Sequence, residues 1–488
     1  MPERPLRILQ VGTVETGGGA ASVATSLRRG YQAHGCQVWL AVGQKTSDDS
    51  TVFVVPDDDR APYRMIGYLA LHRRLRRMAR QFPGRGWGAF SRSLRLATHP
   101  RALLDQYEGR EDFEFPGTYR LLDLLPAHPD IVHCHNLHGG YFDLRALPWL
   151  SRQVPTVLTL HDAWCLSGHC AHSFDCQRWK TGCGACPDLT IAPAIRRDAT
   201  ADNWARKRDI YKESRLYIAA PSRWLMRKVG QSMLALAVEK ARVIPNGVDL
   251  SVFRPVEKRS VRAQLGIPPD VAVLLLTTGV RDNMWRDRET LRAAVGSIAA
   301  SAAGRGALVV ALGDDAAALR CAETDVRFVG YEADALAVAR YYQAADVYVH
   351  SARADTFPAA VLEALACGTP VVATAVGGIP EQIRPAEVGA VRSRSLERLE
   401  NATGVLVPIG DAEALADAVV AVLANGASRR RLGENAAKDV RERFDLDQQI
   451  ECYLAWYRTI IDDWHRHAMS DSDGAPACTT GQDRLAVD

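Results

Sequence analysis

The sequence lacks the features that mark several classes of protein. No apolar run approaches the roughly 20 residues that a membrane-spanning helix needs, which argues against an integral membrane protein. The first residues lead directly into a strand-like run without the charged and apolar regions of a secretory signal, so we expect a cytoplasmic protein. With 47% apolar and 24% charged residues, the composition is globular rather than fibrous or disordered.

Two ligand-binding motifs are also missing from the places where they would act. A glycine run at residues 17–19 follows the first predicted strand, but it is not the GxGxxG fingerprint of dinucleotide-binding proteins. No Asp-x-Asp metal motif stands at a predicted strand end, and we interpret the three aspartates at 57–59 as a solvated polar loop. Eleven cysteines in a cytoplasmic chain of 488 residues do not indicate a disulfide scaffold.

Short β-branched runs alternate with longer helical stretches, a pattern typical of parallel α/β proteins. Because the chain is too long for one hydrophobic core, we predict two doubly wound Rossmann-like domains, joined near residues 250–270 and facing a cleft. The predicted strands are 6–12, 38–42, 131–133, 156–160 and 217–219, then 273–277, 307–312, 326–329, 347–350 and 371–373. The predicted domains are 1–252 and 253–444, followed by a helix at 445–467 that returns to the first domain and a disordered tail at 468–488.

The most informative stretch of the chain is ADTFPAAVLEALACGTPVVATAVGGIPE. Pro358 suits the first position of a helix and Gly368 the position just past its end, so we predict a helix at about 359–367. The amides at its N-terminus would form a phosphate site. Asp355 precedes this helix and Glu363 lies within it, so the two carboxylates would bind sugar hydroxyls on either side of the phosphate. The alternative is a solvated loop aspartate and a surface glutamate.

This stretch resembles the acidic-x7-acidic signature of family 4 retaining glycosyltransferases, which have the GT-B fold. Further family marks follow in order over most of residues 6–460: the glycines 17–19, the turn IPNGVD at 244–249, the strand ends at Gly313 and at 328–331, and the run ADVYVHS at 345–351. The resemblance implies transfer of a sugar from a nucleotide-sugar with retained anomeric configuration. It also implies that no metal or other cofactor is required for the reaction.

The resemblance assigns roles to individual residues. Glu363 would hold the ribose of the nucleotide, and Asp355, in place of the family's usual glutamate, the hydroxyls of the transferred sugar. Arg281 and Arg286 would bind the diphosphate and stabilise its growing charge, the alternative being two exposed loop arginines. His161 matches the family's cleft histidine, for which a structural role is the alternative. The predicted donor-binding residues are Gly18, Gly19, Arg281, Arg286, Asp355, Thr356, Phe357, Ala359, Ala360, Val361 and Glu363.

Three histidines and several cysteines are candidate metal ligands. His133, His135 and His138 could bind a metal, but we favour strand-end packing and lining of an acceptor pocket. Within the cysteine-rich segment 165–186, a CxxC pair and two further thiols predict a structural zinc site, with His169 or His172 as a substitute ligand. The four predicted zinc ligands are Cys170, Cys176, Cys183 and Cys186, and the alternatives are free buried thiols or a redox pair.

The segment 60–104 contains eleven arginines and neither aspartate nor glutamate. Its part from Tyr68 to Met78 predicts a basic amphipathic helix, which would lie on an anionic membrane surface at the inner face of the plasma membrane. The alternative is an ordinary solvated helix face. We do not expect nucleic-acid binding, because no aromatic-interleaved motif accompanies the arginines.

The cysteine-rich run is similar to that of a subgroup of family 4 related to colanic-acid-type exopolysaccharide enzymes. Our leading hypothesis is therefore a retaining glycosyltransferase that moves a sugar from a UDP- or GDP-linked donor to a glycan acceptor, lipid-linked through a polyprenyl group, in cell-surface polysaccharide synthesis. The alternatives are a nucleotide-sugar epimerase and a catalytically degenerate, membrane-associated scaffold.

Overall fold

The computed structural model describes residues 4–56, 100–279, 283–313, 325–388 and 396–472. They fall into two compact units. The described residues of the N-terminal unit are those within Met1–Ala219, Arg227–Arg242 and Tyr457–Asp488, and those of the C-terminal unit lie within Ala220–Met226 and Val243–Trp456. The main change of unit therefore comes earlier in the chain than the predicted boundary at residue 252, and the short segment 220–226 also belongs to the C-terminal unit.

The described part of the N-terminal unit is built on a seven-stranded sheet. Its strands are β1 (Arg7–Val14), β2 (Gln37–Gln44), β3 (Val52–Val54), β4 (Ile131–His135), β5 (Thr156–Thr159), β6 (Leu216–Ala220) and β7 (Val238–Val243), in the order β3-β2-β1-β4-β5-β6-β7. From β3 to β6 the neighbours pair in parallel. β4, β5 and β6 are buried along their whole length, as expected for parallel strands covered on both faces.

The described part of the C-terminal unit repeats this winding with six parallel strands. They are β8 (Val273–Gly279), β9 (Leu308–Gly313), β10 (Asp325–Val329), β11 (Val347–His350), β12 (Val371–Thr374) and β15 (Gly404–Val407), in the order β10-β9-β8-β11-β12-β15. A two-stranded antiparallel hairpin consists of β13 (Glu387–Val388) and β14 (Leu396–Glu397). In each sheet the strand order reverses direction beside the strand that comes first in sequence, which is β1 in the N-terminal unit and β8 in the C-terminal unit. Ligands of doubly wound proteins bind at this position of the sheet.

The described α-helices cover the sheets and connect the strands. They are α1 (Gly19–Ala33), α2 (Pro100–Glu108), α3 (Leu147–Gln153), α4 (Thr200–Lys212), α5 (Arg223–Gly230), α6 (Lys258–Gln264), α7 (Arg288–Ala300), α8 (Ala335–Ala344), α9 (Ala359–Ala366), α10 (Ile379–Gln382), α11 (Ala412–Ala424), α12 (Gly426–Arg443) and α13 (Leu446–Ser472). None of the helices described is both long and apolar enough to cross a membrane.

The last helix departs from its predicted length. α13 continues to Ser472, so the first residues of the tail predicted from 468 onward are helical. In the N-terminal unit the Tyr457 hydroxyl lies 3.0 Å from that of Tyr31 and 2.5 Å from His133 Nδ1, and these contacts attach this part of α13 to the buried sheet. The basic segment up to residue 99, the aspartates at 57–59, Arg281 and the tail from 473 lie outside the described residues.

Candidate functional site

In the C-terminal unit the loop between β11 and α9 carries the predicted carboxylate Asp355. Pro358 is the residue before the helix, with extended backbone (φ −63°, ψ 125°), and not its first residue as predicted. Proline has no donor side chain or amide, and no side chain caps this helix end. The amides of Ala359 and Ala360 therefore open α9, at the end where the helix dipole favours an anion.

Val361 differs from the other residues predicted to face the diphosphate. Its amide donates to the Pro358 carbonyl at 3.3 Å, and its side chain is buried. The extended backbone of Pro358 brings that carbonyl over the first turn, which is why this amide is already used inside the helix. We therefore restrict the anion site at α9 to the two preceding amides.

Two glycines hold the loop from the side of α10. A Cβ on Gly377, whose φ is +61°, would lie 1.7 Å from the carbonyl oxygen of Asp355, and a Cβ on Gly378 would lie 1.9 Å from that of Thr356. The Gly378 amide donates to the Asp355 carbonyl at 3.3 Å. Only glycine permits this close approach of two backbones, so the pair fixes the path of the chain that presents the carboxylate.

A Gly377→Ala variant is expected to lose donor-nucleotide binding and to be less stable than the wild-type protein. The left-handed backbone alone would cost about 1–3 kcal/mol with a Cβ, and the overlap with the Asp355 carbonyl would add to that cost. Nucleotide titration calorimetry and denaturant unfolding would measure the two effects. Gly410→Ala is the matched control, since Gly410 has φ +75° in the same unit but nothing within 4 Å of its Cβ position. Equal behaviour of the two variants would contradict this role of the glycine pair.

His350, at the end of β11, brings two predicted site residues together. Arg286 Nη1 lies 2.5 Å from its Nε2 and 3.0 Å from its Nδ1, and Asp355 Oδ2 lies 3.6 Å from its Nε2. The Tyr348 hydroxyl lies 2.9 Å from Nδ1. Burial and the neighbouring guanidinium lower the pKa of His350 to about 4, so the ring is neutral at physiological pH. The cation predicted to bind phosphate, Arg286, and the carboxylate predicted to bind sugar, Asp355, thus meet at one uncharged ring.

The second carboxylate, Glu363, has a different environment. It projects from α9 toward the Tyr342 hydroxyl, which donates to it, and burial raises the pKa of Glu363 to about 7. The rings of Tyr342 and Tyr348 stand edge to face with centroids 5.4 Å apart, which connects this carboxylate to the group around His350. Two carboxylates with unlike surroundings on one site are suited to bind two different parts of a ligand.

In the N-terminal unit the loop after β1 is open. Gly17 and Gly18 have φ of +94° and +80°, with nothing within 4 Å of their Cβ positions, and Gly19 begins α1. Glu15 anchors the neighbouring loop by accepting hydrogen bonds from the amides of Thr46 and Ser47. The glycine loop therefore leaves its backbone accessible beside a fixed support, as expected for close approach to a ligand.

The histidines of this unit form a packed group at the ends of β4 and β5. His135 Nδ1 lies 3.0 Å from His161 Nε2, and His138 Nε2 lies 2.8 Å from Asp162 Oδ2. His133 is bound at Nε2 by the Thr159 hydroxyl, at 2.7 Å. The arrangement agrees with the strand-end packing favoured for His133, His135 and His138. Lining of an acceptor pocket by these three residues and a cleft role for His161 stay predictions.

Residues 17–252 match the family described as Glycosyltransferase Family 4, and residues 312–439 match Glycosyl transferases group 1. A D-inositol 3-phosphate glycosyltransferase of Kineococcus radiotolerans is 31% identical over 386 residues, which cover 73% of this chain and 80% of the relative. The chain belongs to the family 4 glycosyltransferases.

Another relative is WcaC of Escherichia coli, named provisionally as a colanic acid biosynthesis glycosyl transferase. It is 27% identical over 51% of this glycosyltransferase and 60% of its own length. Sucrose-phosphate synthase of Thermosynechococcus elongatus has a TM-score of 0.61 at 20% identity, over 94% of this chain and 100% of that one. HepE of Anabaena in complex with UDP has a TM-score of 0.56 at 16% identity, over 92% and 100%. These likenesses confirm the GT-B fold.

The predicted residues of this glycosyltransferase fall into two groups, one in each unit. Asp355, Thr356, Phe357, Ala359, Ala360 and Glu363 share the loop and first turns of α9, with Arg286 beside them; Gly18, Gly19 and His161 lie in the N-terminal unit. The sequence did not point to His350, to Tyr342 or to the close approach of the two glycines before α10 to the loop that carries Asp355. The position of His350 at a predicted strand end, five residues before Asp355, was the one available signal.

The cysteine-rich segment is held by protein contacts. The Gly168 amide donates to Cys183 Sγ at 3.3 Å, and His169 Nε2 lies 3.4 Å from Cys186 Sγ. Burial raises the pKa of Cys183 to about 11. Among the described residues, no group of three or more His, Cys, Asp or Glu side chains is arranged to hold a metal ion. Zinc binding by Cys170, Cys176, Cys183 and Cys186 stays a prediction, which the zinc content of the purified protein would test.

Proposed function

We propose that this glycosyltransferase transfers a sugar, with retained anomeric configuration, from a nucleoside-diphosphate sugar to a glycan acceptor. The observation that carries the proposal is the group formed by Arg286, Asp355, Glu363 and the uncapped N-terminus of α9. A guanidinium and two helix amides suit a diphosphate, and the carboxylates on either side suit ribose and sugar hydroxyls.

The proposed mechanism depends on the negative charge that develops on the leaving diphosphate. When the bond between the sugar and the diphosphate breaks, negative charge grows on the phosphate oxygens. Arg286 and the N-terminus of α9 would stabilise that charge without a catalytic metal ion, and Arg281 would add to it on sequence grounds. Asp355 would hold the sugar while the acceptor hydroxyl approaches.

Two further parts of the proposal rest on relatives. Structures of HepE are described in complex with UDP and with UDP-glucose, which supports a uridine-linked donor as the first to test. The name of WcaC supports an acceptor in exopolysaccharide synthesis. A lipid-linked glycan acceptor at the inner face of the membrane is the corresponding proposal, with the basic segment 60–104 as the membrane contact.

The proposal is tested first by calorimetric titration of the full chain with UDP and with GDP, without added metal. We expect one nucleotide to bind, and we expect Glu363→Ala to lose that binding. Glu451→Ala, an exposed glutamate of the same unit, is the control and should bind normally. Undiminished binding by Glu363→Ala would contradict the ribose assignment, and the anomeric configuration of a transfer product, read by NMR, would test retention.

The raised pKa of Glu363 gives this site an expected pH dependence. Ribose hydroxyls bind the ionised carboxylate better, so nucleotide affinity should rise about tenfold from pH 6 to pH 8 as a group with a pKa near 7 loses its proton. The phosphate of UDP titrates in the same range, so the quantity to measure is the difference between the wild-type protein and Glu363→Gln. Parallel affinity curves for the two proteins would contradict the prediction.

A further inference from the structure

Gln382, the last residue of α10, is a buried polar residue that the proposed reaction does not use. It is 0% exposed, and its Nε2 donates a hydrogen bond to the Pro358 carbonyl at 3.0 Å. The direction of this bond is fixed, because a carbonyl oxygen only accepts and a reversed amide would bring two acceptor oxygens together. The side chain of α10 thus bonds the residue that immediately precedes α9.

The other half of the Gln382 amide is unsatisfied. Its Oε1 is buried and has no hydrogen-bond partner among the residues that the structure describes. A buried acceptor without a donor costs stability, and an apolar side chain of the same length would avoid that cost. The glutamine is therefore explained by what its donor end does at Pro358 rather than by packing alone.

The backbone around Gln382 is anchored, so its side chain can act as a fixed support. Arg443, at the end of α12, donates to the carbonyls of Glu381 and Gln382, at 3.2 Å each. The same guanidinium pairs with Asp439 of α12 at 2.8 Å. The support therefore extends from α12 through α10 to the start of α9, and all of it lies within the C-terminal unit.

The Pro358 carbonyl sets the direction of an amide at the start of α9. The peptide group between Pro358 and Ala359 is planar and trans, so its C=O and its N–H point in opposite directions. The carbonyl accepts from Gln382 at 3.0 Å and from the Val361 amide at 3.3 Å. Because two donors hold the carbonyl, the Ala359 N–H on the other side of the same plane is aimed out of the helix end.

We propose that Gln382 is a positioning residue that aims the Ala359 amide at the diphosphate of the donor, through the Pro358 carbonyl. This inference rests on the proposed function, in which that amide is one of two that meet the diphosphate. The Val361 amide belongs to the same helical turn and moves with it. Gln382 adds a donor from outside that turn, so the amide is oriented before the ligand binds and less freedom is lost on binding.

Titration of the full chain with UDP, and with uridine in competition, tests the inference; GDP and guanosine take their place if GDP is the nucleotide that binds. Gln382→Met keeps the length of the side chain and removes the donor. Its UDP affinity should fall roughly three- to tenfold, as for one weakened hydrogen bond. Its uridine affinity should equal that of the wild-type protein, because uridine has no phosphate. A merely structural role would change both affinities or neither.

Gln343→Met is the matched control. Gln343 lies on α8 and is 9% exposed, and its Nε2 donates to the Arg254 carbonyl at 2.9 Å. The same change therefore removes the same kind of bond at a carbonyl that precedes α6 rather than α9. UDP affinity of this variant should equal that of the wild-type protein. An equal loss in both variants, or an equal loss of UDP and uridine affinity in Gln382→Met, would overturn the inference.

NMR of the peptide group keeps the test available if Gln382→Met does not fold. The chain has five Pro–Ala pairs, so labelling proline with ¹³C at the carbonyl and alanine with ¹⁵N leaves five correlations. The one at α9 is missing in Ala359→Ser. UDP should shift the Ala359 amide of the wild-type protein and uridine should not, and in Gln382→Met the Pro358 carbonyl signal should move while the other four stay. An Ala359 amide that ignores UDP, or an unmoved Pro358 carbonyl, would contradict the proposal.

Failure of the proposed function gives a different pattern. The wild-type protein would then bind neither UDP nor GDP, and the inference would fall with the function on which it rests. Failure of the inference alone would leave wild-type binding intact and the affinity of Gln382→Met equal to it. The Pro358 carbonyl signal shows in either case whether Gln382 sets this peptide group.

Discussion

Arg286→Ala is expected to lower kcat for sugar transfer roughly 100- to 1000-fold, the usual cost of removing one preorganised group that stabilises transition-state charge. The guanidinium lies against His350 beside the uncapped end of α9, so its charge is already oriented before the donor binds. Because diphosphate charge grows as the sugar leaves, kcat should fall more than donor affinity. Initial rates at saturating donor, compared with the donor Kd, measure the two effects.

Two further variants make this test specific to position. Arg292→Ala removes the same charge from an exposed site on α7 and should leave kcat unchanged. Arg286→Lys keeps the charge without the two-pronged guanidinium and should recover part of the rate. A loss below tenfold in Arg286→Ala, or an equal loss in Arg292→Ala, would contradict a role of Arg286 in stabilising the leaving diphosphate.

The sequence was sufficient to predict the doubly wound architecture of both units. Buried parallel strands are short aliphatic, β-branched runs, and such runs stand out in the sequence at β1, β4 and β8. The strands that were missed are edge or very short elements, such as Val52–Val54 and Glu387–Val388. Their pairing depends on neighbours far along the chain rather than on their own residues, so local pattern gives little signal for them.

The residues that the structure brings together around α9 could be predicted only in part. Asp355 and Glu363 could be singled out because their spacing around a helix start is a local pattern that resembles the family signature, and their roles stay predictions. His350 was missed because its importance lies in its contact with Arg286, which is 64 residues away in sequence. The contact of Gly377 with the Asp355 carbonyl has the same character. Residues that hold a site together across loops are recognised only once the strands are placed side by side.

A buried ion pair between Lys207 and Glu111 lies beside the histidine group of the N-terminal unit, and no sequence pattern indicated it. Lys207 of α4 is 0% exposed, and its ammonium group lies 2.9 Å from Glu111 Oε2 and within 3.1 Å of the carbonyl oxygens of Trp164 and Ser167. It also lies 3.6 Å from the centre of the Trp164 ring. The Trp164 amide donates to Asp162, so this lysine supports the segment that follows His161.

Lys207→Met is expected to lower the free energy of unfolding by about 3–5 kcal/mol, because it leaves Glu111 as a buried charge without its cation. Burial already raises the pKa of Glu111 above its ordinary value even beside the lysine. Urea unfolding of the full chain, followed by tryptophan fluorescence, measures the loss. Lys212→Met, an exposed lysine of the same helix, is the matched control and should change stability by less than about 0.5 kcal/mol.

The double variant Lys207→Met/Glu111→Gln separates the loss of a charge pair from the loss of packing. If the cost of the single variant is an uncompensated carboxylate, the neutral glutamine should recover much of the stability, since a buried charge costs far more than a buried amide. If the double variant is no more stable than the single one, the ammonium must act mainly through the Trp164 and Ser167 carbonyls. Transfer activity measured below the unfolding range would then show whether the support of Asp162 extends to His161, because a purely structural pair would change stability and leave kcat as it was.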